Sequence, residues 1–175
     1  MATKEDLYHD VDRAQGEIIS LLQELVRADT TSTGVMPTGN ERRAAEVLKS
    51  KLAADGIPSE ILESASTRAS IIARLPGNRG TPKLLYMSHL DVVPVDDPAQ
   101  WQHPPFGAEI HEGRVWGRGA SDCKSLVAAE CMALILLKRA NVRFQGDLIF
   151  CAGADEESGG EYGWAWLAQQ HPDKI

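Results

Sequence analysis

Residues 124–139 place Leu126, Val127, Cys131, Leu134, Ile135 and Leu137 so that a helix there is apolar over much of its circumference. Such a helix has to be covered by neighbours and largely buried, which restricts the chain to layered folds. On either side in sequence lie apolar runs of strand length, residues 83–88 and 146–152. The first is nearly continuous in apolar residues, as in a strand buried on both faces. Upstream, residues 17–27 carry Ile18, Leu21, Leu22 and Leu25 at helical spacing. A second helix is expected to start near Asn40, where Thr38 and Glu41 have capping-box spacing, and to end at Asp55-Gly56. Residues 57–62 and 70–75 read as strands, the second closed by Pro76-Gly77-Asn78-Arg79-Gly80. Residues 92–107 read as a loop rich in proline and aspartate, anchored by Trp101 and Phe106. Residues 109–116 read as a strand interrupted by a turn at Glu112-Gly113, and residues 162–170 as a final helix stopped by Pro172. Strands alternating with helices predict an α/β domain with a mixed, mostly parallel sheet.

A chain of 175 residues is long enough for one domain with a real core, burying roughly 70% of its unfolded surface. Its 18 basic and 25 acidic residues give a net charge of -7, which argues against a nucleic-acid partner, since that needs a basic face. No apolar run approaches the ~20 residues of a membrane span. The opening residues Ala2-Thr3-Lys4-Glu5-Asp6 lack the apolar stretch of a signal peptide. A soluble, cytoplasmic protein that does not engage a membrane is therefore expected. Cys123, Cys131 and Cys151 are odd in number and form no C-x-x-C pair, so no disulfide framework is expected, and Cys131 and Cys151 read as small buried hydrophobes.

The chemistry concentrates in three places. His89 and Asp91 follow the strand at 83–88, Asp122 follows the corner Gly117-Arg118-Gly119-Ala120-Ser121, and Asp155, Glu156 and Glu157 follow the strand at 146–152. Ligand sites in α/β sheets gather at the carboxyl ends of strands, so these groups can converge on one edge. His89 and Asp91 are two apart and point to one side in extended chain. One can then bind a metal while the other accepts the second ring N–H, fixing the tautomer; the bland alternative is a satisfied buried histidine beside a turn aspartate. Asp122 stands either as a helix N-cap or as a carboxylate bridging two cations. Glu156 and Glu157 are adjacent like charges, unfavourable unless cations offset them. They divide naturally into one metal ligand and one general base; the bland alternative is a solvated acidic turn before Ser158-Gly159-Gly160. His103 reads as a loop residue, and His9, His111 and His171 have no partner pattern. Lys124 either supports the bridging carboxylate or is a solvated lysine at the helix start.

Three stretches carry a resemblance: Ser88-His89-Leu90-Asp91-Val92-Val93-Pro94, Gly117-Arg118-Gly119-Ala120-Ser121-Asp122-Cys123-Lys124 and Ala154-Asp155-Glu156-Glu157-Ser158-Gly159-Gly160. In order and spacing they resemble the signatures of the zinc-dependent exopeptidase and deacylase family, which includes aminoacylase, acetylornithine deacetylase, succinyl-diaminopimelate desuccinylase, glutamate carboxypeptidase and carnosinase-like dipeptidases. The resemblance implies a three-layer α/β/α catalytic domain holding two zinc ions, with cobalt or manganese as alternatives. It implies His89 as ligand of one zinc and Asp91 as its orienting partner. Asp122 then bridges both ions, Glu157 completes the first shell, and Glu156 is the general base. It further implies a cis peptide at Asp122–Cys123 and a dipeptide or N-acyl amino acid as substrate.

The departures are specific. Ser125 stands where the motif often continues with glycine. The family's second-zinc carboxylate, its last histidine and its lid or dimerisation domain all fall beyond residue 175. The expectation is thus the N-terminal portion of a catalytic domain over residues 1–175, with a homodimer as one expected assembly of the parent. A rival expectation is a non-catalytic α/β module that binds metal weakly, or a partner chain, without turnover.

Overall fold

The computed structural model describes residues 2–81 and 83–175. In chain order the elements are α1 (Lys4–Arg13), α2 (Gln15–Arg27), α3 (Glu41–Ala54), β1 (Ser59–Ala65), β2 (Arg68–Leu75), β3 (Leu84–His89), β4 (Glu109–His111), β5 (Arg114–Trp116), α4 (Lys124–Arg139), β6 (Leu148–Gly153) and α5 (Trp164–Gln170). Short 3-10 turns stand at Pro98–Gln100 and Glu156–Ser158. The main sheet runs β1-β2-β6-β3, and β4 and β5 form a separate hairpin. No helix among the described residues is long and apolar enough to cross a membrane.

The sheet is mixed, as expected, but the expected parallel majority does not hold. β1 with β2 and β2 with β6 are antiparallel, and only β3 with β6 is parallel. Connection length explains the difference. β1 and β2 are joined through Ser66 and Thr67, with Thr67 at φ 66°. So short a link can only return the chain antiparallel, whereas a parallel pair needs a long crossover. That crossover is α4, which lies between β3 and β6 in sequence. In the β4–β5 hairpin, Glu112 and Gly113 both take positive φ, 52° and 74°, the two-residue turn whose twist suits a hairpin.

Helices α2, α3 and α4 cover one face of the sheet. Leu21, Leu25, Leu48, Leu52, Val127, Cys131 and Leu134 pack there against Ile71, Ala73, Phe150 and Ala152. On the other face Ile72, Ile149 and Cys151 meet Leu167 of α5, with Trp164 and Trp166 beside it. The three layers follow from where the apolar stripes lie. The strand buried along its whole length is β6, not β3. β3 is the last strand of the described sheet, and Leu84 and Met87 are half exposed. Apolarity drew attention to both strands, but position in the sheet order decides which one is enclosed.

Two local expectations fail for identifiable reasons. Thr38 and Glu41 form no capping box: the Thr38 hydroxyl pairs with Thr33 and Val35, and the Glu41 carboxylate turns inward to Arg68. A capping box forms instead at Thr3 and Asp6, starting α1, which sequence periodicity did not reveal because that helix buries no side chain. All three cysteines are buried and free, in keeping with the reading of Cys131 and Cys151.

Candidate metal centre

The parallel pairing of β3 and β6 sets His89 opposite Gly153, so both strands deliver their carboxyl ends to one edge. The register is extended by the Leu90 amide, which donates to the Gly153 carbonyl at 2.8 Å. Helix α4, the crossover between these strands, starts at the same edge and carries Asp122 just before its first turn. The three sequence clusters are therefore assembled by one βαβ unit.

Asp91 is fully buried and acts as a hub. Its carboxylate accepts the Glu156 amide at 3.1 Å and the Glu157 amide at 3.0 Å, which ties the β6 turn to the end of β3. His89 Nδ1 lies 3.1 Å from the Asp91 carbonyl oxygen and 3.4 Å from Asp91 Oδ1. The other ring nitrogen, Nε2, faces Asp122 Oδ1 at 3.1 Å and Glu156 Oε2 at 3.6 Å. The ring itself is 9% exposed, while the carboxylates of Asp122 and Glu156 are 78% and 52% exposed. One face of the centre is thus rigid and dry and the other is open.

Cys123 closes the assembly from below. Its sulfur accepts the His89 amide at 3.1 Å and lies 3.3 Å from the His89 carbonyl oxygen, and the Asp122–Cys123 peptide is cis. Cys123, not Asp122, takes the N-cap position of α4, and it makes no side-chain cap bond. Gly119, at φ 79°, admits no side chain: a Cβ would stand 2.5 Å from Val92 Cγ1 and 3.3 Å from Lys124 Cδ. Lys124 is neither solvated nor on Asp122. It is fully buried and donates to the Ala28 carbonyl at 2.8 Å, and burial lowers its ammonium to about 8 against the attraction of Asp29, Asp91 and Glu41.

The electrostatics favour a cation. Burial opposes the imidazolium of His89, yet hydrogen bonds with Asp91 and Cys123, and their charge, override it and hold the ring to about 11. Burial and the neighbouring Asp122, Asp91 and Glu156 raise the Glu157 carboxyl against the pull of His89. Nε2 beside carboxylate oxygens is a donor set that zinc, cobalt or manganese would accept. By separation of ligating atoms alone, His89, Asp122 and Cys123 form the tight group; Glu156 and Glu157 stand outside it.

Asp155, read as part of the acidic cluster, points elsewhere. Its Oδ1 accepts Arg68 Nη2 at 2.7 Å and its Oδ2 accepts the Tyr162 amide at 3.0 Å. Arg68 also donates from Nε to Glu41 Oε2 at 3.0 Å, with Nη2 2.8 Å from Oε1. This buried Glu41–Arg68–Asp155 network lies behind the metal centre, and the sequence reading missed it. The available signal was slight: Arg68 opens a strand whose centre, Ile71-Ile72-Ala73, is apolar.

Residues 85–175 match the model of peptidase family M20/M25/M40. The chain is 32% identical over 149 residues to the succinyl-diaminopimelate desuccinylase of a Psychrobacter species, covering 82% of this chain and 36% of that protein. Its fold resembles that of human carnosine dipeptidase 1, with a TM-score of 0.78 and 21% identity over 99% of this chain and 39% of that one. It also resembles a metallo-carboxypeptidase from Sulfolobus solfataricus, with a TM-score of 0.76 and 24% identity over 91% of this chain and 35% of that one. The chain spans about a third of the length of the curated relatives it matches. With the matched segment running from β3 through both carboxylate corners to the last helix, the chain belongs to peptidase family M20/M25/M40.

Proposed function

We propose that this chain is the N-terminal portion of the catalytic domain of a two-metal amidohydrolase, whose whole protein cleaves the amide bond of dipeptides or N-acyl amino acids. The carrying observation is the convergence of Asp122 and Glu156 on His89 Nε2, with Asp91 engaging Nδ1 from behind. The family membership and the names of the relatives support the reaction class: one is a desuccinylase, another a carnosine dipeptidase.

His89, Asp122 and Glu157 are the residues that would hold metal, with zinc first and cobalt or manganese as substitutes. When bound, the ions would polarise the scissile carbonyl and lower the pKa of water. Asp91 holds His89 in one tautomer and, through the amides of Glu156 and Glu157, fixes where the two glutamates leave the β6 turn. Asp122, with one oxygen at His89 Nε2 and most of its carboxylate in solvent, is free to bridge. Glu156, half exposed beside His89, serves as the base: Oε2 takes a proton from the attacking water and returns it to the departing amine nitrogen. Adjacent Glu156 and Glu157 suit different roles because their surroundings differ, one open and the other half-buried.

The test pairs binding with turnover. Calorimetric zinc titration of the chain should lose its tightest site on His89→Ala, and Glu156→Gln in the whole-length protein should lower kcat by about 10²–10⁴ against a panel of dipeptides and N-acyl amino acids. A Glu156→Gln protein with undiminished kcat would remove the base assignment. A chain that takes up no zinc would favour a non-catalytic module.

A further inference from the structure

Apart from the His89 centre, the β4–β5 hairpin and the loop before it bring His103, Glu109 and His111 together. Glu109 and His111 are two apart on β4 and so share a face of the hairpin. His111 Nε2 lies 2.7 Å from Glu109 Oε2. His103 arrives from the loop and lays its ring on that of His111, with centroids 3.6 Å apart and planes within 6°. Its Nδ1 is 3.7 Å from the same Glu109 oxygen. Trp116, opposite Glu109 in the hairpin register, stands edge-on to the His103 ring at 4.9 Å. Its indole N–H donates to the His111 carbonyl at 3.2 Å. Two histidines that sequence left without partners are thus set around one carboxylate oxygen.

We infer that His103, Glu109 and His111 form a second divalent-cation site, separate from the His89 centre, suited to zinc, nickel or copper. Two imidazole nitrogens and a carboxylate oxygen are a donor set that selects these ions over magnesium or calcium, which prefer oxygen alone. In a tetrahedral site with ligand bonds near 2.0–2.2 Å, ligating atoms stand roughly 3.3–3.5 Å apart. The observed separations from Glu109 Oε2, 2.7 and 3.7 Å, fall on either side of that value, so the carboxylate is already near ligating distance of both rings. The lone pairs of stacked rings run side by side, and closing on one ion requires the rings to turn, which the broad χ2 of histidine permits. The side chains of His103, His111 and Glu109 are 23%, 42% and 45% exposed, leaving room for water to complete the coordination. A bound ion here clamps the loop to the hairpin that leads through Gly117 into the corner bearing Asp122.

The test uses the 175-residue chain carrying His89→Ala and Asp122→Asn, so that the first centre is silenced. Calorimetric zinc titration should still show one equivalent, with Kd weakened at least tenfold by a further His111→Ala or His103→Ala. Copper should quench tryptophan fluorescence in the silenced chain, and Trp116→Phe should remove most of that quenching. If the silenced chain is poorly folded by circular dichroism, His111→Ala alone in the native chain should lower zinc stoichiometry by one while leaving the His89-dependent site intact. Absence of zinc uptake by a folded silenced chain, or uptake indifferent to His103 and His111, overturns the site. Either result leaves the His89 reading standing, because that reading fails on a different variant.

Discussion

Replacing Arg68 by methionine removes the guanidinium that pairs with two buried carboxylates. The Arg68 side chain is 1% exposed, and those of Glu41 and Asp155 are 0% and 4%. The substitution keeps much of the volume but strips a donor from Glu41, from Asp155 and from the Thr38 carbonyl, which accepts Nη1 at 3.2 Å. Breaking a buried ion pair by removing one partner costs about 3–5 kcal/mol, a large share of the about 5–15 kcal/mol that holds a typical domain together. Part of this is recoverable. Burial already raises the Glu41 carboxyl above its ordinary range, against the stabilising charge and hydrogen bond of Arg68. Without Arg68 the Glu41 carboxyl is pushed up further, and its protonation in the folded state offsets part of the loss as pH falls. The expected deficit is therefore about 3 kcal/mol or more at pH 7, and it should narrow between pH 7 and pH 5. Urea unfolding at both pH values measures it, with Arg68→Met/Glu41→Gln as a partial rescue. Asp155 anchors the turn that carries Glu156 and Glu157, so zinc affinity should fall with stability. A deficit below about 1 kcal/mol at pH 7, where a surface pair would lie, or one that does not change with pH, refutes the reasoning.

Three further outcomes are expected. Asp91→Asn leaves one carbonyl oxygen where two carboxylate oxygens accept the Glu156 and Glu157 amides; zinc affinity by calorimetry should drop about 10–100-fold, and an unchanged Kd would detach Asp91 from the centre. Glu17 is held down to about 2 by hydrogen bonds from Arg139 and Lys51. Its folded value lies below the unfolded one, so its contribution is present above about pH 4.5 and lost as pH falls towards 2. With the side chain 41% exposed, solvent screening keeps that contribution near or below about 1 kcal/mol. Glu17→Gln should therefore flatten the acid limb of a pH-stability curve, and an identical limb would contradict the pairing. Phe150→Ala, at the centre of β6 with no solvent exposure, should cost about 3–5 kcal/mol in urea unfolding, and a loss under 1 kcal/mol would mean the sheet core can collapse around the gap.

Local periodicity and spacing made much of this protein legible. The apolar circumference of α4, the stripe of α2 and the glycine-rich corner before Asp122 are each written within a few consecutive residues, and so is the His89–Asp91 pair. Local rules located every element of the sheet, yet they misjudged its direction, because strand orientation depends on how long each connection is and which strands it joins. They also overestimated β3: an apolar run records a preference for burial, and only the order β1-β2-β6-β3 determines which strand receives it.

Residue type and short-range spacing are enough to announce an α/β layer fold and to nominate His89, Asp91, Asp122, Glu156 and Glu157, since both are properties of the chain before it folds. Tertiary structure alone decided that Asp155 turns away to Arg68, that Lys124 is buried on the Ala28 carbonyl, and that His103 meets Glu109 and His111. Those partners lie 6 to 96 positions apart in sequence. Whether a charge this far from its partner is neutralised, desolvated or left in water is set by packing between elements, on which the local pattern of side chains is silent.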